Sequence, residues 1–340
     1  MKNFAWALAR SPADAAAAAS SLVADAMIAP IDAQASIVKA GGVDVIDLMK
    51  EGLLAPARVI GLRDAPGLDA IEGGADGSLR IGAMVTLSRL AEHVGARRSF
   101  PALTDAVASS ASPQLRNVAT LGGNLLQRPR CWYFRSAEYR CLRKGGGHCF
   151  AIFGENRYHA IFDNRLCAIV HPSTPATALV ALGAWIELVD AEGGKREVRL
   201  EDFLISPDRD VQRENDLRPH EILAAIKLPA LPASARMAHV KIAEKASFDW
   251  PLADVAALID LGPDGRCASA SIVLGAAAPT PRRAKSAEGV LVGQRIDENA
   301  ARAAGRAAID GAAPLPDNAY KLPLFETAVR RAILKAIAIG

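Results

Sequence analysis

Two pairs of adjacent glycines interrupt this sequence, one in "KAGGVDV" (39–45) and one in "ATLGGN" (119–124). Each pair follows a run of residues typical of a β-strand. Because glycine has no Cβ, the backbone N–H groups of such a turn can approach an anion closely. A Gly-Gly pair is also a common chain breaker, so an ordinary turn is the alternative for either pair alone. Two such turns in one domain strengthen the anion-binding interpretation without deciding it.

Length and composition restrict the class of protein. The chain has 340 residues, which exceeds what a single core usually fills, so two domains are expected. A net charge of +3 is too small to indicate nucleic-acid binding. The sequence contains no apolar run of the roughly 18 residues that a membrane-spanning helix needs, so no membrane insertion is predicted. The N-terminal "MKNFAWALAR" is too short and meets a charge too early for a secretory signal, which predicts a cytoplasmic protein.

The order of predicted elements indicates an α+β fold. A helix is predicted over 11–25, and a small-residue strand pattern is predicted before the second glycine pair in "RNVATLGGNLL" (116–126). The Pro- and Ala-rich segment 228–237 is the predicted domain boundary. Beyond it, a strong hairpin is predicted over 254–278, and helical patterns follow near 281–293, 297–311 and 323–338. The chain is therefore predicted to hold a two-part N-terminal domain over 1–230 and a small C-terminal domain of sheet and helices over 236–340.

Several common catalytic signatures are missing from the sequence. No G-x-G-x-x-G follows the first strand, no P-loop is present, and no serine, histidine and aspartate stand in a nucleophile-elbow context. No catalytic acid–base constellation is therefore predicted.

Four of the five cysteines fall in a stretch that has no clear periodicity. Cys131, Cys141, Cys149 and Cys167 lack a C-x2-C pair, which disfavours a structural zinc ribbon. An iron–sulfur cluster accepts four thiolates from irregular loops, and nearby cations would offset its negative charge. The cations in question are Arg128, Arg130, Arg135, Arg140, Arg143 and Lys144. The alternative is a solvated basic loop with incidental cysteines. Cys267 lies in a strand-like run and is predicted to be an ordinary core residue.

The order of motifs along the chain resembles one known family. The segments are "IVKAGGVDVIDLMKEG", "LRIGAMVTLSRLAEH", "SPQLRNVATLGGNLL", "PATALVALGAWIEL", "EILAAIKLP" and "VLGAAAPTPRRAKSAEGVLVG". Together they resemble the FAD-binding medium subunit of the molybdenum hydroxylases, the xanthine dehydrogenase and carbon monoxide dehydrogenase family. The resemblance implies a two-subdomain FAD-binding domain of the PCMH and vanillyl-alcohol-oxidase type, followed by a C-terminal domain of the carbon monoxide dehydrogenase flavoprotein type.

The cysteine-bearing stretch narrows the resemblance. Roughly 45 residues, about 127–171, form an insertion after the second glycine turn. Such an insertion resembles the flavin subunit of the periplasmic aldehyde oxidoreductase type, which carries an extra [4Fe-4S] cluster. The resemblance implies that Cys131, Cys141, Cys149 and Cys167 hold this cluster.

The resemblance also implies the positions that contact FAD. Backbone N–H groups of the first turn would wrap the pyrophosphate, and the second turn would lie near the flavin and pyrophosphate. The implied contacts are Ile37, Val38, Lys39, Ala40, Gly41, Gly42, Val43, Asp44, Thr120, Leu121, Gly122, Gly123, Asn124, Thr174, Leu223 and Lys241. Two positions depart from the family pattern. Thr174 replaces the usual Asp of "P-S-D", and Val43 replaces the usual Thr or Ser of "AGGT".

As a whole, the resemblance implies an electron-transfer flavoprotein subunit. Its expected partners are a molybdopterin-binding large subunit that oxidises the substrate, with an aldehyde as the expected one, and a small subunit with two [2Fe-2S] clusters. A partner with an export signal could carry the chain to the periplasm. The alternatives are a stand-alone FAD oxidoreductase of the same fold and a zinc module that binds nucleic acid.

Overall fold

The computed structural model describes residues 1–28, 30–245 and 248–338. These residues form three sheets, which follow one another along the chain. In the described ranges no helix has the length and apolar character that crossing a membrane requires.

The first sheet is parallel and carries the first glycine turn. Its strand order is β1-β3-β2, with Ile37 of β2 opposite Val59 of β3. The strands are β1 (Ala5–Leu8), β2 (Ser36–Lys39) and β3 (Arg58–Gly61). The helices of this part are α1 (Pro12–Ala18), α2 (Val23–Ala26) and α3 (Val43–Lys50). The prediction of one helix over 11–25 was wrong, because the backbone N–H groups of Ser20 and Ser21 donate to the carbonyl oxygen of Ser36 and break the helix.

The second sheet contains five strands in the order β4-β5-β8-β6-β7. These are β4 (Ile71–Gly73), β5 (Leu79–Gly82), β6 (Trp185–Asp190), β7 (Lys195–Arg199) and β8 (Glu221–Leu228). The helices of this part are α4 (Leu87–Glu92), α5 (Val94–Ser99), α6 (Pro101–Ala108), α7 (Pro113–Arg116), α8 (Leu121–Leu125), α9 (Trp132–Arg135), α10 (Phe150–Phe153), α11 (Thr174–Ala181) and α12 (Leu200–Phe203). Strand β8 is almost wholly buried, as its near-continuous apolar sequence predicts for a central strand.

The second glycine turn differs from its prediction. The strand predicted before Gly122 and Gly123 is replaced by α7 and a single bridge between Thr86 and Thr120. The glycines themselves lie in the first turn of α8, whose N-cap is Thr120. The Thr120 hydroxyl accepts a hydrogen bond from the Gly123 N–H at 3.2 Å. N-capping by threonine satisfies a backbone donor that a short helix leaves open, which explains why this segment is helical despite its two glycines.

The cysteine-bearing insertion is mostly irregular, as its lack of periodicity predicts. It contains only α9, a 3-10 turn at Leu142–Lys144 and α10. Its later part is anchored in the C-terminal unit, because Ile161 and Phe162 donate backbone hydrogen bonds to the Ala277 carbonyl oxygen. Both side chains are buried in the core of that unit.

The C-terminal unit is a four-stranded antiparallel sheet covered by helices, and the predicted hairpin is confirmed by the pairing of β10 with β11. Its strands are β9 (Ala235–Ile242), β10 (Ala253–Leu261), β11 (Cys267–Gly275) and β12 (Arg282–Arg283). Its helices are α13 (Lys285–Leu291), α14 (Glu298–Ala307) and α15 (Lys321–Ala338). The apolar face of α15 packs on β9 and β10 and closes the core. Strand β9 also packs against α6. This contact places β9 beside the part of the N-terminal domain that carries the glycine turns.

Candidate cofactor cleft and cysteine cavity

The two glycine turns face each other across a large cleft. The cleft has a volume of about 420 Å³ and a predominantly apolar lining, which suits a cofactor-sized ligand. Most residues that the sequence analysis assigned to FAD line it. These are Val38, Ala40, Gly41, Gly42, Val43, Asp44, Thr120, Gly122, Gly123, Asn124, Thr174, Leu223 and Lys241.

Glycine is required at the first turn for two reasons. A Cβ at Gly41 would lie 2.0 Å from the carbonyl oxygen of Val118, just before the second turn. Gly42 has φ +88°, a left-handed conformation that other residues rarely adopt. Helix α3 begins immediately afterwards at Val43, so its first N–H groups open toward the cleft. The open N–H groups and the helix dipole together favour an anion at this position.

Three of the assigned side chains lie outside the lining of the cleft. Ile37 and Leu121 are fully buried in two different apolar cores. Lys39 donates from Nζ to the Ala40 carbonyl oxygen at 3.2 Å, and its ammonium lies 5.4 Å from the centre of the Trp6 ring. These residues shape the backbone of the turns, and any contact that Ile37 or Leu121 makes with a ligand would come from the backbone.

The far side of the cleft is built by α11, β8 and β9. Thr174 is 5% exposed and follows Ser173, the N-cap of α11. Ser173 Oγ donates to Asn124 Oδ1 at 2.6 Å, which ties α11 to the second turn. Lys241 of β9 donates from Nζ to the Ser109 carbonyl oxygen at 2.8 Å, and burial lowers the pKa of its ammonium.

The lining also contains charged residues that the sequence analysis did not assign to the cleft. They are Arg128, Arg130, Arg213, Glu214, Glu221 and Asp249. The sequence analysis had assigned Arg128 and Arg130 to the surroundings of the iron–sulfur cluster, as cations that offset its negative charge. In the structure both arginines line the cofactor cleft and pair with carboxylates. Arg130 Nη2 lies 2.8 Å from Asp44 Oδ1, and Arg128 Nε lies 3.1 Å from Glu214 Oε2. Arg128 and Arg130 follow directly after the second glycine turn, and this position in the sequence could have indicated that they lie at the cleft.

The aromatic pair Phe248 and Trp250 adds an exposed edge to the cleft. Both side chains line it and are more than half exposed. The Arg130 guanidinium carbon lies 5.0 Å from the centre of the Trp250 ring, a cation–π distance. This contact joins the start of the cysteine insertion to the loop between β9 and β10.

The four insertion cysteines line one small cavity, together with Arg143 and His159. All five cysteines of the described chain are free thiols, and Cys267 lies apart in the C-terminal core. Burial raises the pKa of Cys131 to about 12, and burial also raises the pKa of Cys141. The side chains of Cys149 and Cys167 are hydrogen-bonded to each other. A hydrogen bond to Cys167 raises the pKa of Cys149, and the same bond, followed by the Arg143 guanidinium, lowers the pKa of Cys167 to about 6.

The cysteine cavity does not have the form of a single-ion chelate. Across residues 1–28, 30–245 and 248–338, no group of three or more His, Cys, Asp or Glu side chains could hold one metal ion. His159 adds a further polar contact, since its Nε2 lies 3.2 Å from Cys131 Sγ. Burial lowers the pKa of His159 to about 4, so the ring is neutral at pH 7.

Comparison with family models decides the family. Residues 2–231 match the FAD binding domain in molybdopterin dehydrogenase, and residues 238–336 match the CO dehydrogenase flavoprotein C-terminal domain. The chain is an FAD-binding medium subunit of the molybdenum hydroxylase family. FAD is therefore its cofactor, and it is an oxidoreductase subunit. The predicted family and the predicted α+β fold class are both confirmed.

Similar proteins agree with this membership over nearly the full chain. The Escherichia coli K12 protein named aldehyde oxidoreductase FAD-binding subunit PaoB is 34% identical over 99% of both chains. Among solved structures, reconstituted CO dehydrogenase from Oligotropha carboxidovorans is 25% identical, with a TM-score of 0.74, and covers 100% of this chain and 99% of the matched one. Quinoline 2-oxidoreductase from Pseudomonas putida 86 is 26% identical, with a TM-score of 0.73, over 99% of both chains.

Proposed function

We propose that this medium subunit binds FAD in the cleft between the two glycine turns and transfers electrons within an aldehyde-oxidising molybdenum hydroxylase. In this proposal it receives electrons from iron–sulfur clusters of a small subunit and passes them to an external acceptor. A molybdopterin-binding large subunit would oxidise the substrate. The domain division is proposed as 1–230 and 236–340. The observation that carries the proposal is the facing arrangement of Gly41–Gly42 and Gly122–Gly123 across one cleft.

The residues of the cleft have distinct roles in this proposal. The N–H groups at the start of α3, beside Val43 and Asp44, would hold the diphosphate. The Thr120 hydroxyl is occupied by its hydrogen bond from the Gly123 N–H. Thr120 would therefore shape the second turn and would contact FAD only through its backbone. The flavin, when bound, accepts and releases electrons, while the protein supplies binding, orientation and electrostatics. This division of labour fits a sequence without an acid–base constellation.

Thr174 and Lys241 would stand beside the cofactor on the opposite wall. The Thr174 hydroxyl can donate and accept a hydrogen bond, but it lacks the charge of the aspartate that is usual in the family. Lys241 keeps one hydrogen bond to Ser109 and would place a partly desolvated ammonium near FAD. Leu223 of β8 would supply apolar contact at the floor.

A [4Fe-4S] cluster on Cys131, Cys141, Cys149 and Cys167 belongs to the same proposal. The donor set suits it, because four thiols from an irregular segment line one cavity. Each thiolate of such a cluster binds a different iron, so the sulfur atoms need not converge on one point as a single ion would require. A bound cluster would transfer electrons and be anionic, and the buried cations Arg143 and Lys144 follow closely after Cys141.

Two observations support the aldehyde and partner assignments. The relative with 34% identity over 99% of both chains is named for aldehyde oxidation. In addition, the sequence shows no recognisable acid–base constellation, which fits a subunit whose substrate is oxidised on another chain. Large interfaces, on the order of 2,000 Å² or more, are typical of permanent complexes of this kind.

Metal analysis tests the cluster. Protein purified without oxygen should hold about four irons and about four acid-labile sulfides per chain, the composition of a [4Fe-4S] cluster. Changing any one of the four insertion cysteines to serine should remove or damage the cluster, whereas Cys267→Ser should leave the iron content unchanged. Stoichiometric zinc, or no metal with free thiols, would contradict the cluster.

Co-expression tests the electron-transfer role. The full chain alone should contain FAD but should not oxidise aldehydes, and the complex formed with its neighbouring gene products should do so. Turnover by the isolated chain would instead favour a stand-alone flavoenzyme. Affinity for nucleic acid that falls steeply with salt, without flavin colour, would favour the zinc-module alternative.

A further inference from the structure

Three buried charged side chains lie in a row between the cysteine cavity and the cofactor cleft. Arg143 Nη1 lies 2.6 Å from Glu214 Oε1, and Arg128 Nε lies 3.1 Å from Glu214 Oε2. The exposed fractions of the side chains are 1% for Arg143, 5% for Glu214 and 3% for Arg128. One carboxylate thus joins two guanidinium groups inside the protein, and we call this set the Arg–Glu–Arg triad.

The two ends of the triad reach different cavities. Arg143 lines the cysteine cavity together with Cys167. Arg128 and Glu214 line the cofactor cleft together with the glycine turns. The backbone N–H of Arg128 donates to Asp44 Oδ2 at 2.8 Å, so this arginine is held beside the first turn of α3.

The charges around the triad do not balance. Arg130 and Arg135 both pair with Asp44 and Asp47. Within the triad, by contrast, two guanidinium groups share one carboxylate, an excess of one positive charge. Burying an uncompensated charge is costly, so an anion is needed nearby. An anionic ligand in the cleft can supply it beside Arg128.

Arg128 is the under-compensated member of the triad. Within the described part of the chain, its Nε and Nη1 atoms are buried without a hydrogen-bond partner, although Nε is within ion-pair distance of Glu214. Only Nη2 donates, to the Gln212 carbonyl oxygen at 3.0 Å. Burial lowers the pKa of Arg128, as expected for a guanidinium whose charge is not fully compensated. The cleft end of the triad therefore has room for an anion beside Arg128.

We propose that Arg128 binds the diphosphate of FAD and is positioned for it by Glu214 and Arg143, so that the triad links the cofactor cleft to the cysteine cavity. This inference rests on the proposed placement of FAD in the cleft. The diphosphate is the group of FAD that carries full negative charge at neutral pH. The Nη1 group of Arg128 has no hydrogen-bond partner among the described residues, and a guanidinium N–H matches a phosphate oxygen in charge and as a donor.

The test isolates the diphosphate from the rest of the cofactor. ADP and adenosine differ by this group, so each is used to compete with FAD for rebinding to the deflavinated full chain. In the wild type, ADP should compete more strongly than adenosine. In Arg128→Gln the advantage of ADP should fall at least tenfold, while the inhibition constant of adenosine stays the same. An unchanged ratio would overturn the proposal, and a loss of fold would weaken both competitors equally.

Two further variants keep the test decisive. Arg128→Lys keeps the charge but cannot reach Glu214 and the cleft together with a single ammonium, so the ADP advantage should fall severalfold. A wild-type ratio in this variant would contradict the assignment even if Arg128→Gln does not fold. The matched control is Arg283→Gln, which breaks the 2.7 Å ion pair with Glu288 in the C-terminal unit and should leave the ratio unchanged.

Iron analysis of the same samples separates the two proposals. Arg143→Gln should lower the iron and sulfide content, because Cys167 loses its neighbouring cation. It should also lower the ADP advantage, but by less than Arg128→Gln does, because Glu214 still holds Arg128. If wild-type protein contains no iron, the cluster proposal fails while the ADP ratio still decides the role of Arg128. If iron is present and the ratio in Arg128→Gln equals that of the wild type, the role of Arg128 fails while the cluster proposal stands.

Discussion

Gly41 lies so close to Val118 that no side chain fits between them. A Cβ at Gly41 would lie 2.0 Å from the Val118 carbonyl oxygen, a backbone atom that cannot rotate away. The close approach holds the first glycine turn against the segment that leads into the second. The cleft between the turns therefore depends on the absence of a single methyl group.

Gly41→Ala is predicted to push the two turns apart. The variant should fold but bind FAD at least tenfold more weakly, because the N–H groups at the start of α3 would no longer face the second turn. The readout is flavin absorbance near about 450 nm per chain after dialysis. Gly73→Ala is the control, since a Cβ there meets no atom within 4 Å. Full flavin occupancy in Gly41→Ala would place the cofactor elsewhere.

Asn318 is predicted to hold the cysteine insertion on the C-terminal unit. Its side chain is fully buried, and its Nδ2 lies within 3.3 Å of the carbonyl oxygens of Asn156, His159 and Ala160. Asn318→Leu keeps the volume but removes this shared donor and the acceptor of the Leu315 N–H, which should cost on the order of 2 kcal/mol of unfolding free energy. The His159 and Ala160 carbonyl groups keep donors from Lys321 and Asn164.

Hydrogen exchange checks this role of Asn318. Amide protons of residues 156–162 should exchange faster in Asn318→Leu, and the thermal midpoint should fall. Asn117→Asp, at an exposed position, should change neither quantity. Unchanged protection of 156–162 would show that other contacts hold the insertion.

Glu187 is predicted to make the fold sensitive to acid. Burial alone would raise the pKa of Glu187, but hydrogen bonds from Arg80 and Lys227 outweigh it and lower the pKa to about 2. Because the folded-state pKa lies below the unfolded value, the stabilisation is complete above about pH 4.5 and is lost as the pH falls through 2. Glu187→Gln should lower the free energy of unfolding on the order of 2 kcal/mol at pH 7.

Urea unfolding at several pH values tests the assignment of Glu187. The difference between wild type and Glu187→Gln should shrink toward zero as the pH approaches 2. A difference that stays constant with pH would mean that packing, and not the carboxylate charge, explains the loss. Glu192→Gln, at an exposed glutamate of the same hairpin, serves as the control.

His171 is predicted to make the free energy of unfolding depend on pH in a range above that of Glu187. Burial lowers its pKa to about 4, and its Nδ1 accepts the Ser173 N–H at 3.3 Å. The unfolded chain takes up this proton near pH 6.5, so stability present above 6.5 is lost as the pH falls to about 4. The loss amounts to about 3 kcal/mol. His171→Asn keeps an acceptor for Ser173 and should remove this part of the pH dependence.

Urea unfolding midpoints measured between pH 4 and 7 test the predicted role of His171. The wild-type midpoint should fall more steeply than that of His171→Asn across this range. His148→Asn, at an exposed histidine, should follow the wild type. Parallel curves for wild type and His171→Asn would contradict the prediction.

Local features of the sequence were sufficient for much of the fold. The hairpin around Gly265 and the helix that ends at Ala338 follow from turn chemistry and apolar periodicity, which act over a few residues. Family resemblance added the cofactor and most of the positions that line the cleft. The helix predicted over 11–25 was wrong, because the hydrogen bonds that Ser20 and Ser21 donate outweighed propensity. The strand predicted before Gly122 was wrong, because Thr120 accepts a capping hydrogen bond from the Gly123 N–H.

The sequence by itself determined the two glycine turns, the grouping of four cysteines and the family. These depend on residue type and on spacing along the chain. Only the tertiary structure decided that Arg128 faces the cofactor cleft and that Glu214 joins it to Arg143, 71 residues away from Glu214. The physical reason is burial: in water each of these charges would be solvated separately. Inside the protein each must find its counter-ion among residues that the chain brings together only by folding.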